Sequence, residues 1–121
     1  MNKVYYLSTC STCRRILTDT QAGAVCTLQD IKKDNISAAD LDDLAVKTGS
    51  YEALFSRKSL KFRARGLHEQ TLTEADYRNL ILEEYTFLKR PVIVFNNQVF
   101  VGNAPKVVAA AGLALKSAAN R

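Results

Sequence analysis

The chain has 121 residues, three cysteines and a formal net charge of +5. A single domain of that length buries a real core without disulfide staples, and three cysteines are too few and too oddly numbered for a secreted disulfide framework. No run approaches the roughly 18 apolar residues of a membrane span, and no basic segment leads into an apolar stretch at the N-terminus. The expectation is a cytoplasmic protein with reduced thiols and no membrane partner.

Lys3-Val4-Tyr5-Tyr6-Leu7 reads as a buried strand, and Thr12 to about Thr20 as a helix with Ile16 and Leu17 inward, ending near Gly23. Ala24-Val25-Cys26-Thr27-Leu28 is then expected as a second strand, with Cys26 mid-strand as a small buried hydrophobe. Two strands joined by one helix make a βαβ unit with parallel pairing. Ser37-Ala38-Ala39-Asp40 resembles a capping box, followed by Leu41, Leu44, Ala45 and Thr48 on one stripe and by Gly49 as a stop. A short helix is expected around Tyr51 to Arg57.

The basic excess concentrates in Arg57-Lys58-Ser59-Leu60-Lys61-Phe62-Arg63-Ala64-Arg65, read as a solvated helix face with apolar anchors. No nucleic-acid-binding signature accompanies it, so no direct nucleic-acid partner is expected. Thr73-Glu74-Ala75-Asp76 opens another helix, with Tyr77, Leu80, Ile81 and Tyr85 or Glu84 at three-four spacing. After Arg90-Pro91, the runs Val92 to Phe95 and Gln98 to Val101 flank Asn96-Asn97, a two-residue turn whose asparagines tolerate positive φ. A last helix follows Asn103, with Pro105 in its first turn and Val107, Val108, Ala111 and Leu115 forming the apolar stripe. The reading is one α/β domain over residues 1–121, with a mixed four-stranded sheet (β-α-β, then β-β-α) and a helical insertion at about 37–88.

The chemistry concentrates in Cys10-Ser11-Thr12-Cys13-Arg14-Arg15, at the junction of the first strand and helix. A cysteine at the first turn of a helix meets unpaired N–H groups and the positive end of the dipole. Its thiol pKa then falls from about 8.5 into a range of roughly 3.5–7.5. Arg14 and Arg15 push the same way. A metal site is not expected, because Cys26 and the sole histidine, His68, lack ligand spacing. C-x-x-C at the first βα junction of this element order is the thioredoxin-like arrangement.

Three blocks carry a more specific resemblance: Tyr5 to Arg15, Ala53-Leu54-Phe55-Ser56-Arg57-Lys58, and Leu88-Lys89-Arg90-Pro91-Val92-Ile93-Val94. With these blocks in this order, the chain resembles the arsenate reductase (ArsC)/Spx family over essentially its full length. The resemblance implies a thioredoxin-like fold and a nucleophilic Cys10. It also implies an anion-holding loop over Ser11, Thr12, Cys13 and Arg14, oxyanion-stabilising arginines at Arg57 and Arg90, and a cis proline at Pro91 facing the site. From the residues alone, Pro91 suggests only a rigid turn, and Arg57 and Arg90 could equally form surface ion pairs.

Two departures matter. Arsenate-reducing members typically carry a third arginine just after the hairpin, where this chain has Val101-Gly102-Asn103-Ala104. Cys13 completes a C-x-x-C pair that single-cysteine members lack, so it could resolve an intermediate internally. The resemblance therefore implies a thiol-disulfide oxidoreductase with no bound cofactor. Its substrate would be a small oxyanion or a disulfide, and its electrons would come from glutathione or the thioredoxin/glutaredoxin system. The alternative is a Spx-like redox-sensing regulator that binds the RNA polymerase α-subunit.

Overall fold

A computed structural model of the chain describes residues 2–119. It divides into two compact units: residues 2–34 with 90–119, and Asn35–Lys89.

The first unit is built on β1 (Lys3–Tyr6), β2 (Thr27–Asp30), β3 (Val92–Phe95) and β4 (Gln98–Val101), in the order β2-β1-β3-β4. β1 runs parallel to β2 and antiparallel to β3, and β3 and β4 form the expected hairpin. Asn96 and Asn97 turn it with φ of 48° and 65°, the left-handed values that a two-residue hairpin loop demands. The helices are α1 (Ser11–Thr20) and α5 (Pro105–Ala119). Val4, Ile93 and Phe95 from one sheet face close with Ile16 of α1 and with Ala111 and Leu115 of α5 into a core that also takes in Ala22 and Cys26. This is the mixed four-stranded, thioredoxin-like arrangement.

The second strand is displaced from its expected position. Ala22–Ala24 form a 3-10 turn after Gln21 stops α1 in the left-handed region, and β2 begins only at Thr27. Cys26 is therefore not mid-strand. It lies in the bend before β2, buried, with its N–H donating to Ala22 at 2.9 Å. The apolar run Ala24-Val25-Cys26 serves the turn and the core, and the strand itself is a largely exposed edge with Leu28 outward. Periodicity cannot separate the two cases, because a buried turn and a short buried strand read alike.

The second unit carries α2 (Ala38–Thr48), α3 (Leu60–Ala64) and α4 (Glu74–Glu83). Ser37 caps α2 by accepting from the Asp40 N–H, and Gly49 ends it at φ 96°. Thr73 and Asp76 form a reciprocal capping box on α4. The segment expected as a helix around Tyr51 to Arg57 is only the 3-10 turn Glu52–Leu54, opened by Glu74, whose carboxylate accepts the N–H groups of Tyr51 (2.7 Å) and Glu52 (3.2 Å). The chain then turns extended, and Phe55 bridges to Leu88 while Ser56 and Lys89 donate backbone hydrogen bonds to Phe87 and Leu54. Phe55 is fully buried among Phe62, Tyr77 and Phe87, with ring centroids 5.9, 4.9 and 5.2 Å away. Of the basic run, only Leu60–Ala64 is helical, and Leu60 is 90% exposed. Among the described residues no helix is long and apolar enough to cross a membrane.

A candidate thiol active site

Cys10 is the N-cap residue of α1, in extended conformation. Its N–H closes a turn onto Leu7 (3.0 Å), and its carbonyl accepts the first helical hydrogen bond, from Arg14 (3.1 Å). A cysteine side chain makes no oxygen-type cap, so the N–H groups of Thr12 and Cys13 are left to act on the sulfur. Partial burial raises the Cys10 thiol. The Cys13 N–H, the Cys13 thiol, the Thr12 N–H and the charge of Arg90 together outweigh it and hold Cys10 below the ordinary cysteine value.

Cys13, one turn into α1, is fully buried. Burial pushes its thiol up to about 11, against the opposing pull of the Leu7 N–H, and the neighbouring Cys10 raises it further. The pair is thus polarised: a half-exposed sulfur poised to ionise, and a buried one that keeps its proton and donates it toward the first. Cys26 is raised by burial alone and sits in the hydrophobic core.

The register explains how Arg90 reaches Cys10 across 80 positions of sequence. Tyr5 pairs with Val92, so the end of β1 that leads into Cys10 lies beside the start of β3. Arg90 and Pro91 immediately precede β3, joined by a cis peptide bond, with Pro91 buried. The cation acting on Cys10 is that of Arg90, whereas Arg14 and Arg15 are exposed on α1. Ser11 is exposed and Thr12 half-buried in the first turn of the same helix. Gly102, at φ 88°, donates its N–H to the Pro91 carbonyl at 2.9 Å, which ties the loop carrying exposed Asn103 to this edge of the sheet.

Arg57 belongs to the second unit, where its Nη2 donates to Glu52 (2.8 Å) and to the Tyr77 hydroxyl (2.7 Å), and its guanidinium lies over the rings of Phe55 and Tyr77. Sequence reasoning missed Tyr77 as its partner, because a helical stripe predicts burial but not the direction of a hydroxyl. It also missed Ser8 and Asp30, 22 positions apart, which bond beside the cysteine turn. Among the described residues no three His, Cys, Asp or Glu side chains gather as a metal-binding group.

No curated protein sequence matches this chain. Among solved structures it is similar to arsenate reductase from Vibrio cholerae (19% identity, 91% of this chain and 96% of that one, TM-score 0.76) and to an arsenate reductase (ArsC) related protein from Brucella melitensis (23%, 90% and 92%, 0.65). It is also similar to a possible arsenate reductase from Streptococcus mutans (26%, 82% and 87%, 0.68). The ArsC family model matches residues 5–111, a span that takes in the Cys10 turn, the insertion, the cis proline and the first part of α5. The chain belongs to the ArsC family.

Proposed function

We propose that this protein is a thiol-disulfide oxidoreductase of the arsenate reductase type, with Cys10 as nucleophile. The polarised thiol pair carries the reading: one cysteine is lowered by helix N–H groups, the Cys13 thiol and Arg90, while burial pushes its neighbour up to about 11 and keeps it protonated at neutral pH. With a disulfide substrate, the Cys10 thiolate displaces one sulfur and forms a mixed disulfide. Cys13 then loses its proton and attacks the Cys10 sulfur, releasing the second substrate thiolate and leaving a Cys10–Cys13 disulfide. Two electrons have passed from the cysteine pair to the substrate, and glutathione or a thioredoxin/glutaredoxin dithiol returns them. With arsenate, Cys10 displaces hydroxide from arsenic(V). Cys13 or glutathione then attacks the Cys10 sulfur, the S–As electron pair stays on arsenic, and arsenite leaves.

Ser11, Thr12 and Arg14 in the first turn, with Arg90 and Pro91, are the proposed oxyanion cradle. No cofactor is bound in this scheme. The test is an NADPH-coupled assay of arsenate and of model disulfides with each donor system. Turnover with at least one pair supports the reading, and none with any pair sinks it.

Mild oxidation is expected to yield a Cys10–Cys13 disulfide and leave Cys26 free, which peptide mapping checks; Cys26 bridged to either partner refutes the assignment. Asn103→Arg is expected to tighten arsenate or sulfate binding by about ten- to a hundredfold, and Arg90→Ala to weaken it comparably. The basis is that one charge-assisted hydrogen bond is worth about 1.5–3 kcal/mol. Calorimetric titration measures both, and unchanged affinity in both variants removes the cradle from this edge of the sheet.

A further inference from the structure

Asp30 is the last residue of β2 and stands opposite Tyr6 in the parallel register, so both strands end level where the chain leaves β1 toward Cys10. Its carboxylate accepts the Ser8 O–H at 2.6 Å, the Ser8 N–H at 3.3 Å and the Lys32 N–H at 3.2 Å. Ser8 is the second residue of the turn that Cys10 closes onto Leu7. The turn is therefore fixed at one end by the sheet, at the other by α1, and in its middle by a side chain from a neighbouring strand.

We propose that Asp30 is a positioning residue for the candidate active site: through Ser8 it holds the turn that presents the Cys10 sulfur to the first N–H groups of α1. The inference rests on the reading of Cys10 as the working thiolate. Asp30 touches neither substrate nor sulfur, and a simple charge argument runs against it, because a carboxylate near a thiolate disfavours ionisation. Geometry and charge thus predict opposite signs. If Asp30 acts by holding the turn, removing it lets Cys10 drift from the Thr12 and Cys13 amides, and the thiol becomes harder to ionise. If it acts by charge, removing it makes the thiol easier to ionise.

The groups facing Asp30 are Ser8, Lys32 and Lys33, and its carboxyl is held below the ordinary value chiefly by the Ser8 hydrogen bond, so the anchor is an anion at neutral pH. Those acting on Cys10 are Cys13, Thr12 and Arg90. None of the latter is altered by changing Ser8 or Asp30.

The experiment is iodoacetamide labelling of Cys10 across pH, read by mass spectrometry, in wild type, Ser8→Ala and Asp30→Ala, each checked for folding by circular dichroism. Both variants are expected to label Cys10 about three- to tenfold more slowly at pH 6, with the labelling midpoint moved up by half to one pH unit, since thiolate fraction falls tenfold per unit below the pKa. Faster labelling in Asp30→Ala refutes the proposal, as do unchanged rates in both variants. Slowing in Asp30→Ala without slowing in Ser8→Ala also refutes it, because the path then bypasses Ser8. A wild-type Cys10 that labels no faster than free cysteine refutes instead the thiolate reading beneath it.

Discussion

Cys10→Ser is expected to abolish turnover of arsenate and of disulfides alike, with every donor system. A serine hydroxyl at this N-cap keeps the helix capped and the fold intact, but its alkoxide is inaccessible at neutral pH, and no oxygen nucleophile can carry the electron pair that thiol exchange transfers. Cys13→Ser separates the two resolving routes. If glutathione attacks the Cys10 sulfur directly, glutathione-linked turnover persists in part while any intramolecular route is lost. Full activity in Cys10→Ser ends the enzymatic reading, and a Spx-like regulator that binds the RNA polymerase α-subunit then becomes the reading to test.

Phe55→Ala is expected to destabilise the second unit by about 3–5 kcal/mol, the usual range for truncating a fully buried phenylalanine. The ring has no exposed surface and is enclosed by Phe62, Tyr77 and Phe87, so its removal opens a cavity that three rigid aromatic neighbours fill poorly. Its backbone also carries the bridge to Leu88. Urea denaturation followed by hydrogen exchange measures the effect, and a loss below about 1 kcal/mol would show that the cluster collapses around the gap. The same variant removes one of the two ring faces under Arg57, leaving Tyr77 and Glu52 as its contacts.

The features legible in the residues alone are those set by near neighbours in the chain. The caps at Ser37 and Thr73, the stop at Gly49, the Asn96-Asn97 hairpin and the start of α1 beside Cys10 follow from hydrogen bonds and φ preferences within four residues. The three separated blocks were enough to point to the family, and the family model spans them.

The rest depended on contacts between distant residues. It moved β2 from Ala24 to Thr27, because an edge strand is defined by its partner β1 and not by its own hydrophobicity. The cation acting on Cys10 became Arg90 in place of its sequence neighbours Arg14 and Arg15, because the β1–β3 register brings residue 90 beside the cysteine turn while a helix carries the adjacent arginines outward. Burial separated Cys13 from Cys10, one thiol pushed up to about 11 and the other lowered, although the two are identical in chemistry and three residues apart. The Ser8–Asp30 bond left no trace in the sequence at all, since a contact from the turn after one strand to the end of its parallel neighbour has no fixed spacing along the chain.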